Sequence, residues 1–324
     1  MPDLQGATLR LEALDVAMLR VLYREGVDSL WGIDPRLNAS RIAKLLGSGR
    51  SRVAARLRRW EKSGVLSKYA VWLNPALLDH RGAWVALKVE STEDKSEVIH
   101  RVGLMDGVVS ATEFLGPMVN LGLVYRNRAQ LERRLELIRG LSGVAEAGLL
   151  SEWSPRVLRG PLTPLEVRMV RALRAQPATT LEDAAGRAGV SVRTFARKYS
   201  ALLDRSAIWF QPVFDFRRVS TPVVVLCAEL SPGRDAKAIA RELRAHYPLL
   251  IELADQSVSG PGRVDLTEWA VVLPSAACID EMTQWVSSLD GVRHVIWKMP
   301  IRTYDFPLWF DERLREMSRA GIRS

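Results

Sequence analysis

Two stretches of the chain, one in each half, carry nearly the same pattern of apolar and polar positions. Leu14–Leu22 (LDVAMLRVL) returns as Leu165–Leu173 (LEVRMVRAL), with apolar residues at the spacing of an amphipathic helix. After each stretch the pattern predicts a short helix that ends at a glycine, Gly47 or Gly189, and then a second amphipathic helix. A repeat near half the chain length is too long for a solenoid unit, whose period is roughly 20–50 residues. The pattern therefore indicates a tandem duplication.

The remainder of each half combines strand-like and helical stretches in one order. The first half predicts strands at 84–90, 108–115, 121–125 and 144–152, with helices at 95–102 and 128–139. The second half repeats the order with strands at 223–229, 249–255, 269–273 and 294–301, helices at 235–246 and 276–288, and a closing helix at 307–319. The order β-α-β-β-α-β is that of the ferredoxin-like unit.

Together these patterns predict an α+β fold with four domains. Two winged helix-turn-helix domains are expected at 8–78 and 156–218, and each is followed by a ferredoxin-like βαββαβ (RAM-type) domain, at 79–155 and 219–324.

A βαββαβ sheet is covered by helices on one face only. Strand spacing in the first half predicts apolar residues on the open face, namely Trp84, Ala86, Val109, Ala111, Leu121 and Leu123. Because open apolar faces are normally buried against a partner, we expect the two halves to cover each other within one chain, as a pseudo-dimer. We also expect the chain to form a homodimer or a higher homo-oligomer.

The charge distribution predicts a polyanionic partner. The chain has a net charge of +9, and between Arg36 and Lys68 there are ten Lys or Arg residues and one acid, Glu61. A short helix, a tight turn and a helix with arginines on its outer side are typical of a helix-turn-helix that reads the major groove. Arginine can bond a guanine with two donors at once. A solvated basic face that binds nothing is the alternative interpretation.

The sequence therefore predicts binding of double-stranded DNA. The residues expected to contact it in the first half are Arg41, Lys44, Arg50, Ser51, Arg52, Arg56 and Arg59. Fewer candidates occur in the second half, and these are Arg193, Thr194, Arg197 and Lys198. We expect the second half to bind DNA more weakly.

Other classes of protein find little support in the sequence. The longest apolar runs are far shorter than the roughly 20 residues of a membrane helix, and the start of the chain has no secretory-signal pattern. Two cysteines, Cys227 and Cys278, are too few for a disulfide scaffold. No phosphate-binding glycine loop, metal-ligand spacing or nucleophile with its base stands out. We expect a cytoplasmic protein without metal, cofactor or membrane partner, and not an enzyme.

Several short motifs resemble the leucine-responsive regulator family (Lrp/AsnC). They are Leu14-Asp15 with Leu19, Ile42-Ala43 with Leu45 and Gly47, Arg52-Val53 with Arg56-Leu57, Gly64-Val65-Leu66, Gly116, and Leu141-Ser142-Gly143-Val144. The resemblance covers nearly the whole chain, twice, and each half is similar to one family subunit. It implies a sequence-specific DNA-binding transcription regulator that can respond to a small-molecule effector.

The segment expected to bind an effector departs from that family. In the family an acidic residue usually follows the glycine between the middle strands, whereas Gly116–Asn120 contains none. Gly116 and Asn120 are therefore the only effector-binding residues that the resemblance supplies. A turn that binds no ligand is the alternative.

A class of enzymes shares this architecture. Siroheme decarboxylases look like the same fold, often have two parts, and use histidine and arginine around a tetrapyrrole. None of the four histidines, His80, His100, His246 and His294, falls on a middle strand where such a site is expected. We predict that they are surface or capping residues. Such an enzyme, or a non-specific chromatin-type DNA binder, is thus the alternative to the regulator.

Overall fold

Helices and antiparallel sheets form a mixed α+β fold. The computed structural model describes residues 8–24, 38–153, 160–175, 180–247, 250–251 and 265–320. The expected domain boundary near residue 155 and part of the strand expected at 249–255 lie outside these ranges. Within them, no helix is long and apolar enough to cross a membrane.

The first half begins with three helices and continues with alternating strands and helices. The elements are α1 (Ala13–Arg24), α2 (Ala39–Leu46), α3 (Arg50–Ser63), β1 (Leu66–Leu73), β2 (Arg81–Val89), α4 (Lys95–Gly103), β3 (Val108–Phe114), β4 (Met118–Tyr125), α5 (Arg128–Arg139) and β5 (Val144–Trp153). Asn38 caps α2 by accepting a hydrogen bond from the Arg41 amide, and Gly47 ends it at φ +61°, a left-handed conformation that glycine adopts readily.

The second half repeats this order and adds a strand and a helix. Its elements are α6 (Pro164–Ala175), α7 (Leu181–Ala188), α8 (Val192–Asp204), β6 (Ile208–Phe214), β7 (Val223–Leu230), α9 (Ala236–His246), β8 (Leu250–Ile251), β9 (Asp265–Val272), α10 (Cys278–Ser287), β10 (Val292–Lys298), β11 (Pro300–Asp305) and α11 (Leu308–Ala320). The helix and strand limits agree closely with the sequence pattern in most places.

The strands of the described residues make two larger sheets and one ribbon. The first sheet has the order β11-β3-β4-β2-β5, the second sheet β10-β7-β9-β8, and β1 pairs with β6 in an antiparallel ribbon. Both the ribbon and β11 join the two halves, because β11 comes from the second half and pairs with β3 of the first.

The C-terminal strand is where the prediction differs most. One strand was expected at 294–301, whereas two strands lie on either side of Met299 and belong to different sheets. Pro300 has no N–H to donate to a ladder and is tolerated as the first residue of a strand, so it favours a new strand at this point.

The prediction for the open face of the first sheet was right for Trp84, which lines a space between the sheets, and for Val109, which packs in the core between them. It was wrong for three other residues. Ala111, Leu121 and Leu123 belong to the core between this sheet and its helices, together with Val85 and Ile138. The residues on the other face of β3 and β4 include Ser110, Thr112 and Asn120, which line a space between the sheets. Nearly every residue of β4 is buried, so the alternation of apolar and polar residues alone could not show which of them face the helices.

The two open faces meet within the chain. A single hydrophobic core contains Val109 and Phe114 of the first sheet and Val223, Val225 and Ala270 of the second, along with the cores of both helical groups. The two halves therefore cover each other, as the sequence led us to expect.

Candidate active site

A cleft separates the open faces of the two sheets, and we call it the inter-sheet cleft. Its lining includes Ser110, Thr112, Phe114 and Asn120 from the first sheet, Val223, Val225, Glu268 and Ala270 from the second, Gln211–Phe214 from β6, and Leu19 and Trp60 from the first helical group. Centres of water-sized molecules can occupy about 120 Å³ of it, and the cleft with its part open to solvent has about 1240 Å³ of space between atoms. A mostly apolar lining with a few polar groups is typical of small-molecule sites.

Polar side chains cross the first sheet on the cleft side. Thr303, Thr112 and Asn120 lie side by side in the pairing of β11, β3 and β4. The Thr303 hydroxyl accepts a hydrogen bond from the Phe214 amide over 2.7 Å and so ties β6 to this row. Gln211 of β6 also lines the cleft.

Glu268 is the ionisable side chain of the second sheet that lines the cleft. Cys227 donates a hydrogen bond from Sγ to Glu268 Oε1 over 3.1 Å, and Lys298 Nζ lies 3.5 Å from the same oxygen. The ammonium of Lys298 is also 5.5 Å from the centre of the Phe114 ring, across the cleft. The carboxylate is thus held in place by a thiol and a cation.

Burial changes the ionisation of both partners of Glu268. Burial, reinforced by the negative Glu268, raises the pKa of the Cys227 thiol well above its ordinary range, so the thiol stays protonated. Burial alone would lower the pKa of Lys298, but its contacts with Cys227 and Glu268 raise it instead. Near neutral pH the thiol of Cys227 is therefore protonated, and Lys298 carries its positive charge.

A second buried ion pair fixes the end of β11. The Tyr304 hydroxyl donates to Glu113 Oε2 over 2.7 Å, and Lys95 Nζ lies 3.2 Å from Glu113 Oε1. Lys95 also donates to the carbonyl oxygens of Phe114 and Gly116. Burial, together with the Glu113 carboxylate, raises the pKa of Tyr304 to about 12, so the phenol stays neutral. These bonds hold β11 and β3 in place at the rim of the cleft.

The chemistry that this cleft can perform is narrow. Glu268 can give or take a proton, the amides of Asn120 and Gln211 can form hydrogen bonds, and the apolar walls can exclude water from a bound molecule. Among the described residues, no group of three or more His, Cys, Asp or Glu is placed to hold a metal ion.

None of the residues predicted to bind DNA lines this cleft, and most of them lie on the surface of the helices. Exposed side chains on α2 and α3 are Arg41, Lys44, Arg50, Ser51, Arg52 and Arg59, and those on α8 are Arg193 and Arg197. Thr194 is half-buried, and its amide and hydroxyl both bond the N-cap residue Ser191.

Two of these basic residues point inward, which corrects the expectation that they face solvent. The Arg56 side chain is 10% exposed, and its Nε lies 2.9 Å from the fully buried Asp15. In the equivalent place of the second half, Lys198 Nζ lies 3.5 Å from the buried Glu166. Each cation neutralises a carboxylate of the first helix in its own half, because a buried charge without a partner is costly.

Three residues that the sequence singled out line the cleft: Asn120 as an effector-binding residue, and Trp84 and Ala111 as residues of the open face. Asn120, expected to bind an effector, lines the cleft, whereas Gly116 lies at the β3–β4 turn and its carbonyl accepts from Lys95. Thr112, Gln211 and Glu268 were not singled out. The available signal was a polar residue between apolar neighbours on a strand, a position that usually faces water and here faces the cleft.

The histidines do not line the cleft. His80 is half-buried with its ring edge against Trp309, and His246 stacks on Trp285 with ring centres 4.2 Å apart. Burial lowers the pKa of His80, so its ring is neutral at pH 7. His100 lies on α4, and His294 lies on the edge strand β10.

Comparison with solved structures relates this fold to an enzyme over its whole length. The siroheme decarboxylase NirDL matches with a TM-score of 0.50 and 17% identity, over 95% of this chain and 99% of that one. NirDL in co-complex with an iron-uroporphyrin III analogue matches with a TM-score of 0.51 and 16% identity, over 94% and 100% of the two chains.

Regulators match only part of the chain. AsnC of E. coli matches 48% of this chain and 97% of its own, with 18% identity and a TM-score of 0.30. No protein-family model and no curated protein matches the sequence.

These matches correct the expectation that the chain is not an enzyme. That expectation took the tandem fold as evidence for a regulator, yet two solved structures that match nearly from end to end are those of a decarboxylase.

Proposed function

We propose that this chain is an enzyme that removes carboxyl groups from a tetrapyrrole of the siroheme type in the inter-sheet cleft. The observation that carries this proposal is the cleft between two open sheet faces, in a fold that matches NirDL over its whole length. The apolar walls suit a flat macrocycle, and the open side leaves room for the carboxyl groups that are retained to stay in water.

Decarboxylation requires the cleft to hold the carboxyl group that is lost and to supply one proton. The bond between the carboxyl carbon and its neighbour breaks, its electron pair stays with the neighbour, CO₂ leaves, and the neighbour gains one proton. Glu268 is the cleft residue suited to deliver that proton, taken up from solvent, because it is ionisable and held by Cys227 and Lys298. The histidines lie elsewhere, so this chain would use a carboxyl group for the task.

Incubation of the purified protein with siroheme without oxygen tests the proposal. We expect mass spectrometry to show products lighter by one or more CO₂, and the absorption spectrum of siroheme to change on binding. Glu268→Gln keeps the shape of the side chain and should retain binding while the turnover rate falls by about 10²–10⁴-fold. Siroheme recovered unchanged after incubation with the wild-type protein would refute this function.

We propose DNA binding as a second candidate function, favoured by the exposed basic surface of α2 and α3. In this interpretation residues 8–78 and 156–218 are winged helix-turn-helix units, and Arg50, Arg52 and Arg59 contact phosphates or bases. If so, the logarithm of the affinity should fall with the logarithm of the salt concentration by about 0.9 per phosphate contacted.

Arg52→Ala and Arg193→Ala make a matched pair for testing this second function. Both residues are exposed and lie near the start of equivalent helices. Loss of a base contact costs about 1–3 kcal/mol of discrimination, and the first half is expected to lose more. An affinity unaffected by salt or by either substitution would argue against DNA as a partner.

A further inference from the structure

Two amide side chains of the inter-sheet cleft have buried oxygen atoms without a partner. Asn120 is 9% exposed, and its Oδ1 has no hydrogen bond among the described residues. Oε1 of Gln211, on β6, is also buried and also has no hydrogen bond among the described residues. A buried polar group without a hydrogen-bond partner destabilises the fold. Both residues line the same cleft, where a bound molecule could complete their hydrogen bonding.

The position of Asn120 does not require a polar residue for the fold. Its neighbours on β4, Val119 and Leu121, point to the helix-covered core, and Asn120 faces the other way. The second sheet carries the apolar residues Val225 and Ala270 on its cleft side. An aliphatic side chain at position 120 would avoid the unpaired amide, so the asparagine is better explained by binding than by packing.

The lining contains no free positive charge. Among the described residues that line the cleft there is no Arg or Lys, and Lys298, beside the cleft, is already paired with Glu268. A carboxylate that binds beside Asn120 and Gln211, away from Glu268, would therefore meet neutral amides and hydroxyls. An amide can turn about its last bond, so it can offer NH₂ to a carboxylate or its oxygen to a carboxylic acid.

We propose that Asn120, with Gln211 as the second amide, forms a neutral subsite for the carboxyl group that the enzyme removes. A cation would bind the carboxylate tightly, and that attraction would be lost as the charge leaves the carboxyl group in the transition state. Hydrogen bonds from neutral amides orient the carboxylate and stabilise its charged ground state less than a cation would. An apolar setting of this kind favours the transition state for loss of CO₂. This subsite rests on the proposed decarboxylation.

Asn120→Leu tests the subsite by both binding and stability. Iron uroporphyrin III is the binding probe, followed by its absorption, and siroheme is the substrate. We expect Asn120→Leu to weaken probe binding by about tenfold, the equivalent of one such hydrogen bond. The same variant should melt at a temperature equal to or above that of the wild type, because it removes an unpaired polar group. Met118→Leu, on the same strand and face, should change neither quantity.

Gln211→Lys tests the neutrality of the subsite. The new ammonium should lower KM for siroheme and lower kcat as well, a combination that a merely structural residue would not produce. Asn120→Asp should weaken binding more than Asn120→Leu does, because it places a second negative charge against the carboxylate.

The outcomes separate the subsite from the proposed function. If the wild-type protein converts siroheme and Asn120→Leu behaves as the wild type does, the subsite is wrong and the decarboxylase proposal stands. A rise in kcat for Gln211→Lys would also overturn it. If the wild-type protein binds the probe without converting siroheme, the decarboxylase proposal and the role of the subsite in catalysis both fail. Absence of probe binding in the wild-type protein would overturn both proposals.

Discussion

The two sheets of this protein are alike on the faces covered by helices and unlike on the faces that meet. Both helix-covered faces are packed with aliphatic residues, such as Val85 and Leu121 in the first sheet and Leu226 and Val271 in the second. On the open faces the first sheet carries a hydroxyl and amide row, and the second carries aliphatic residues with the trio of Cys227, Glu268 and Lys298. The similar faces serve the fold, and the unlike faces form the candidate site.

The two helical groups show a similar contrast at one buried carboxylate. In the first half Asp15 is fully buried and accepts hydrogen bonds from Trp60 Nε1 over 2.7 Å and from the Glu12 amide over 2.8 Å, beside Arg56. In the second half Glu166 accepts from the Thr163 amide and pairs with Lys198 and Arg205. The two carboxylates take the same position in their helical groups, but their basic partners are buried to different degrees. Removing each carboxylate in turn therefore tests the comparison.

The largest effect is expected from removing the first of these carboxylates. Asp15→Ala leaves the Trp60 N–H buried without its partner and leaves Arg56 with the exposed Glu12 alone. Breaking a buried ion pair in this way costs about 3–5 kcal/mol. Glu166→Ala should cost about 1–3 kcal/mol, because Lys198 and Arg205 can reach water. Urea denaturation of the two variants measures both values. Equal losses would show that the two groups are not as different as their burial implies.

The free energy of unfolding should depend on pH through Glu166 of the second half. Burial alone would raise the pKa of Glu166, but hydrogen bonds from Thr163 and the positive charges of Arg205 and Lys198 hold it below the ordinary 4.5. Its contribution to the free energy of unfolding is therefore present above pH 4.5 and is lost as the pH falls through the lower pKa of the folded state. Glu166→Gln should flatten the decline in stability between about pH 5 and pH 3, measured by urea titrations. An unchanged slope would contradict this assignment.

A smaller effect is expected from two glycines on the open face of the first sheet. A Cβ at Gly122 would overlap Ser110 Oγ and come within 3.0 Å of the Trp84 ring, whereas a Cβ at Gly148 meets nothing within 4 Å. Gly122→Ala should therefore cost about 1–3 kcal/mol by overpacking, and Gly148→Ala should have little effect. Thermal melting of the two proteins compares them. A melting temperature for Gly122→Ala equal to that for Gly148→Ala would mean that this face is loosely packed.

The sequence predicted the elements well and the site poorly, for physical reasons. Helix limits such as those of α2 follow from a capping Asn38 and a closing Gly47, which are local signals. The pairing of β11 with β3 and of β1 with β6 depends on contacts between residues far apart in the chain, which no local pattern encodes. The domain limits stay a prediction.

The site depends on which face of a strand each polar residue occupies. In β4 both faces are buried, so the position of Asn120 on the cleft side could not be read from alternation. Arg56 shows the opposite case. Its place in a basic helix predicted a side chain that faces solvent, whereas it pairs with the buried Asp15 of another helix. Both depend on tertiary contacts.

Blocking the cleft tests most directly whether the meeting of the two unlike faces is the functional site. Ala270 lies on the second sheet, is 5% exposed and lines the cleft. Ala270→Phe should fill this space, and Ala129→Phe, at an exposed position of α5, is the control. Circular dichroism would establish that both variants fold, and absorption titration with iron uroporphyrin III would measure binding. We predict that Ala270→Phe weakens binding at least tenfold, an amount equal to about 1.4 kcal/mol, while Ala129→Phe binds as the wild type does. A folded Ala270→Phe protein with wild-type affinity would contradict the account.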